Sequence, residues 1–156
     1  MSNLKPGRSF RRSRRGRGQA LVEFALVVPV FLLVLAGILD FGFLLYSRMT
    51  VINAAREGAH AVITLIGATT TTTIPTKAQN TAISSASGSG LGLTAAQVAV
   101  SCVAIKTSGS CNFASASGTQ SGDAVSVTVT YPYKSFFPLL FGTTFNLAST
   151  VQMVLE

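Results

Sequence analysis

Few residues in this 156-residue chain could make or break bonds, and they stand apart from one another. The acids are Glu23, Asp40, Glu57, Asp123 and Glu156, the single histidine is His60, and the two cysteines are Cys102 and Cys111. Catalysis by a nucleophile or a general base needs two such groups within hydrogen-bond reach. No nucleophile–base pair can be assembled here, and no stretch reads as a phosphate loop or a zinc-ligand set. His60 has no cysteine or second histidine near it and is expected to be structural. Two cysteines with eight residues between them make neither a metal site nor a redox pair of the C-x-x-C kind. The expectation is a chain without catalytic residues, metal or cofactor. One ionisable group nevertheless stands in an energetically costly place: Glu23, a turn inside an apolar run.

The elements that position Glu23 are a basic tail and a long hydrophobic segment. The chain is 48% hydrophobic with a net charge of +7. Seven of its twelve basic residues, Lys5, Arg8, Arg11, Arg12, Arg14, Arg15 and Arg17, precede residue 18, and from Gln19 onward basic and acidic residues balance. A general nucleic-acid surface is therefore not expected, because the positive charge belongs to the tail alone. Residues 24–39 are sixteen residues without a charge, and the apolar run continues to Tyr46 with Asp40 as its one ionisable member. About 20 apolar residues cross a bilayer as a helix, and arginines on one flank predict a cytoplasmic N-terminus. A secretory signal peptide fits less well, since its apolar run is shorter and its cleavage site follows closely. The nearest A-x-A pattern here, Ala59-His60-Ala61, lies well beyond the run. Asp40, with Tyr46 and Arg48, is expected at the outer interface.

The boundary itself carries a pattern. Gly18 is followed by QALVEF, so that Glu23 is fifth and Phe24 sixth after the glycine. The fuller string GQALVEFALVVPVFLLVLAGILDFG, with NAAREGA at residues 53–59, resembles the TadE-like family, minor pilins or pseudopilins of the Tad/Flp branch of type IV pilus systems. The resemblance implies that a prepilin peptidase cuts between Gly18 and Gln19 on the cytoplasmic side. It also implies that Glu23 and Phe24 form the processing and assembly motif, with the Glu23 carboxylate meeting the α-amine of Gln19 on a neighbouring subunit. The partners so implied are the membrane, the peptidase, other major and minor pilins and the inner-membrane assembly platform.

Beyond the span the helix is expected to continue. Pro29 should kink or loosen it. Residues 47–66 contain no proline, and Ala54, Ala55, Gly58 and Ala59 are small residues spaced for close packing. A helix over residues 20–66 would be about 70 Å long. Gly67-Ala68, the threonine run 69–73 and Pro75 mark a change of region. Residues 77–87 suggest a short helix, and SGSGLGL at 87–93 a flexible connector. The period then becomes two: Val98, Val100 and Cys102 alternate with Ala99, Ser101 and Val103, Val125, Val127, Val129 and Tyr131 alternate with Ser126, Thr128 and Thr130, and Phe145, Leu147, Val151, Met153 and Leu155 suggest a last strand. Cys102 and Cys111 would both lie outside the cytoplasm, where a structural disulfide persists, worth roughly 2–3 kcal/mol. Phe136-Phe137-Pro138-Leu139-Leu140-Phe141 reads either as a loop buried against the sheet or as a subunit or membrane contact.

The predicted fold is α+β and pilin-like: a long N-terminal transmembrane helix continuing into a small extracytoplasmic domain whose antiparallel sheet of three to four strands packs on it. Residues 1–18 would be a removable leader, 19–47 the transmembrane helix, 48–66 its extension and 67–156 the domain. The expected role is structural or priming in the biogenesis of an adhesive pilus, at the bacterial inner membrane or in the fibre. The competing reading is a single-pass anchor carrying a binding domain unrelated to pili.

Overall fold

The computed structural model describes residues 15–65, 74–103, 113, 123–138 and 142–154. Its elements in chain order are helix α1 (Arg15–Leu65), helix α2 (Ile74–Gly88), a 3-10 turn (Ala95–Gln97), and strands β1 (Val98–Val103), β2 (Ala124–Lys134) and β3 (Thr144–Val154). The chain divides into two compact units, Met1–Ile38 and Leu39–Glu156.

In the first unit the described residues are helix α1 alone. Leu21, Val22, Phe24, Leu26, Val30 and Phe31 are all more than half exposed. A helix that is apolar all round fits a single-pass membrane anchor, because each such side chain gains about 1.5–3 kcal/mol on leaving water. The helix is long and apolar enough to cross a membrane. It runs through Pro29 and on to Leu65 as one element.

The second unit has a core of small and β-branched residues. From α1 come Val51, Ala54, Ala55, Ala59 and Val62, spaced at three and four residues so that they share one face. From α2 come Ile74, Ala78, Ala82 and Ala86, a stripe at intervals of four. Leu91, Leu93, Val98, Val125, Val127 and Val129 complete the core. Alanine stripes bring helix backbones close, and Gly58 marks that approach: a Cβ there would lie 3.2 Å from the Ala78 carbonyl oxygen, 3.2 Å from Ala82 Cβ and 3.3 Å from Val127 Cγ1.

Helix α2 ends at Gly88, and two residues on Gly90 turns the chain with a φ of +76°, which a residue with a side chain rarely adopts. Leu91 N–H reaches back to the Ala86 carbonyl and Gly90 N–H to that of Ser87, which satisfies the last carbonyls of the helix. Residues 87–93, expected as a flexible connector, are instead a helix stop followed by two core leucines. The expected helix at 77–87 starts three residues earlier, at Ile74.

The sheet is antiparallel with order β1-β2-β3. Val98, Val100 and Cys102 stand opposite Val129, Val127 and Val125. Met153, Val151, Ser149, Leu147 and Phe145 face Val125, Val127, Val129, Tyr131 and Tyr133 from the other side. Side chains alternate along each strand, so the register places Val98, Val100, Cys102, Val125, Val127, Val129, Tyr131, Phe145, Leu147, Val151 and Met153 on one face, while Leu155 lies outside the described residues. The α+β architecture with its three-stranded sheet agrees with the sequence-based expectation.

Candidate functional site: the apolar helix and the Asp40 latch

Gly18, Gln19, Glu23 and Phe24 lie along α1, all exposed, with Phe24 at 67%. A Cβ added at Gly18 would meet nothing within 4 Å. No contact within the described chain explains a carboxylate at Glu23, whose neighbours on α1 are alanine, leucine, valine and phenylalanine.

Asp40 is the ionisable group that the fold does engage. It is buried, 4% exposed, and three donors from the strand end converge on it. Tyr133 Oη donates to Oδ1 at 2.7 Å, Ser135 Oγ to Oδ2 at 2.5 Å, and the Phe136 N–H to Oδ1 at 3.2 Å. Ser135 Oγ also accepts the Phe137 N–H at 3.2 Å, so hydroxyl and carboxylate together organise residues 135–137. Charge-assisted bonds of this kind are the strong ones, and full satisfaction is what allows a carboxylate to be buried. Among the described residues no buried side-chain nitrogen or oxygen lacks a partner. Burial, with Asp40 at its hydroxyl, pushes the Tyr133 phenol up to about 12. A second tie lies further along α1, where Tyr46 Oη donates to the Ser89 carbonyl at the end of α2 at 2.8 Å.

The sequence reading treated Asp40 as an interfacial acid and missed this latch. The available signal was the phase of β2: the inward alternation Val125, Val127, Val129 and Tyr131 continues to Tyr133 and Ser135. Two hydroxyls on a buried face demand an acceptor; α1 carries three acids, Glu23, Asp40 and Glu57, and only the fold shows that Asp40 is the one they meet.

The remaining candidates are dispersed. Ala54, Ala55, Gly58 and Ala59 face α2 and β2, while Arg56, Glu57 and His60 are exposed on the opposite side of α1. Cys102 is half-buried on β1, and Cys111 lies outside the described residues. Of the aromatic loop, Phe136 is 78% exposed and its ring meets that of Phe137 edge-on at 5.2 Å. Leu139, Leu140 and Phe141 lie outside the described residues. No group of three or more potential metal ligands occurs among the described residues.

A family described as TadE-like protein matches residues 18–60. The match opens on the glycine at the charge boundary, ends within α1, and includes Glu23, Phe24, Pro29, Asp40 and the small-residue stripe. No curated protein and no solved structure matches the chain. Over residues 18–60, from the glycine of the charge boundary to the small-residue stripe of α1, the chain is similar to the TadE-like family.

Proposed function

We propose that this chain is a minor pilin or pseudopilin of a bacterial tight-adherence pilus system, a structural or priming subunit rather than an enzyme. The observation that carries this reading is the coincidence at Gly18. The family match begins there, the basic run ends there, and the exposed apolar helix with Glu23 five residues on follows. In this reading a prepilin peptidase removes residues 1–18 on the cytoplasmic face. Residues 21–39, about 28 Å of helix, then fill the hydrocarbon of the inner membrane, and the sheet domain stands outside the cytoplasm. Release of the leader discards the seven cationic residues that hold the helix to the cytoplasmic face and creates an α-amine at Gln19. Glu23 of an adjacent subunit receives that amine, which fixes the axial register of packed helices with otherwise featureless apolar surfaces. The partners are other pilins and the inner-membrane assembly platform. Cys102 and Cys111 form a disulfide in the oxidising compartment, a reading supported by the absence of any free cysteine among the described residues.

Glu23→Leu tests the assembly role. The substitution makes the helix more compatible with lipid by roughly 2–3 kcal/mol. A neutral anchor would tolerate it. We expect a Glu23→Leu protein that is cleaved, inserted and stable, yet fails to co-purify with the other pilins or to support piliation. Full piliation by that cleaved protein would remove the role assigned to Glu23.

A further inference from the structure

We infer that Phe136 is a membrane-surface contact, held by the Asp40 latch so that its ring enters the leaflet at the C-terminal end of the span. The inference rests on the transmembrane reading of α1 and adds to it a second attachment point, made by the sheet domain.

Phe136 is the most exposed of the large hydrophobic side chains described, at 78%. Exposure alone would say little, but its position is determined. The Phe136 N–H is bonded to Asp40 Oδ1, and its neighbours Tyr133 and Ser135 bond the same carboxylate. Asp40 is the residue at which the uncharged run of residues 24–39 ends. A span that begins near Leu21 reaches the far edge of the hydrocarbon, about 30 Å away, close to this aspartate. The latch therefore ties the backbone of Phe136 to the residue that closes the uncharged run.

The surroundings at this level have the composition of a membrane interface. Phe41 and Phe43 on α1 are 62% and 60% exposed, and Lys134, two residues before Phe136, is exposed as well. Exposed phenylalanines can bury apolar area at the headgroup–acyl boundary, and a lysine can keep its charge among the headgroups while its stem lies along apolar surface. The edge-on contact with half-buried Phe137 holds the Phe136 ring outward instead of letting it fold onto the sheet.

The chain has no tryptophan, so single reporters can be placed without background. The full chain carrying Phe136→Trp, and separately Leu33→Trp, would be reconstituted at high dilution in phosphatidylcholine–phosphatidylglycerol vesicles. Lipids brominated either near the glycerol or near the chain end serve as quenchers, and iodide probes the water phase. We expect Phe136→Trp to fluoresce to the blue of a water-exposed indole. It should be quenched most by the shallow bromines and be shielded from iodide. Leu33→Trp should be quenched most by the deep bromines. Adding Asp40→Ala to Phe136→Trp should abolish the shallow quenching and restore access to iodide. An iodide-accessible reporter at position 136 with position 33 still deeply quenched would overturn the surface contact and leave the anchor standing. Loss of deep quenching at position 33 would instead overturn the anchor. Shielding at position 136 that disappears on dilution of protein in lipid would assign the ring to a second copy, which also overturns the inference.

Discussion

At the scale of single residues, two carboxylates placed in apolar surroundings are handled in opposite ways. Asp40 finds its partners within its own chain, across 93 to 96 residues of sequence. Glu23 finds none in the described chain, and on the proposed reading its partner arrives with the next subunit. The Asp40 latch has measurable consequences. Tyr133→Phe removes one donor to a buried charge and should cost about 1.5–3 kcal/mol in unfolding of the sheet domain, measured by denaturant titration in detergent. Asp40→Ala should cost more, because it leaves three donors without an acceptor. The Tyr133 phenol adds a pH dependence with a definite sign. It holds its proton up to about 12 against an ordinary 10.0, so the folded state keeps a proton that the unfolded state releases first. Its contribution is complete below pH 10 and is lost as pH rises towards 12. Phenolate absorbance should show a step near 12 that Tyr133→Phe removes and Asp40→Asn lowers. Absence of that step would contradict the buried bond.

At the scale of elements, the helix–sheet layer depends on absent volume. Glycine in a helix ordinarily costs about 1 kcal/mol relative to alanine, so Gly58→Ala would stabilise an open site. At Gly58 the new methyl would press on a backbone carbonyl and a core valine, and overpacking costs typically 1–3 kcal/mol. The second effect wins where the contact is rigid. Gly58→Ala should lower the unfolding midpoint, while Gly42→Ala, with nothing within 4 Å, should be neutral or stabilising. The proposed Cys102–Cys111 bridge predicts that alkylation under non-reducing denaturing conditions labels neither cysteine. Labelling of both in protein from its native membrane would contradict the bridge.

The elements were legible in the sequence to the extent that their periodicity was local. The period of two over residues 125–131 located β2, the apolar residues at 145, 147, 151 and 153 located β3, and the small residues at 54–59 marked the packing face of α1. What escaped was set by tertiary placement. The Ala78, Ala82 and Ala86 stripe of α2 reads as polar sequence, since serine, threonine and asparagine fill the positions between. Residues 87–93 look like a linker until Gly90 is seen turning the chain so that Leu91 and Leu93 enter the core. The latch requires knowing which face of the sheet meets which turn of α1, and no local pattern contains that.

At the scale of the whole molecule, charge and hydropathy are separated along the chain: a cationic tail, an apolar helix exposed on all sides, and a neutral sheet domain. On the proposed reading, this order lets one proteolytic event change the protein from a charge-anchored membrane protein into an assembly subunit. The most direct measurement is the N-terminal sequence and intact mass of the protein extracted from its native membrane. Cleavage between Gly18 and Gln19 predicts a mature chain that begins at Gln19 and lacks residues 1–18, and a bulky substitution at Gly18 should leave the precursor uncut but inserted. A mature chain that still begins at residue 1, or one that begins near residue 62 after Ala59-His60-Ala61, would contradict the pilin reading.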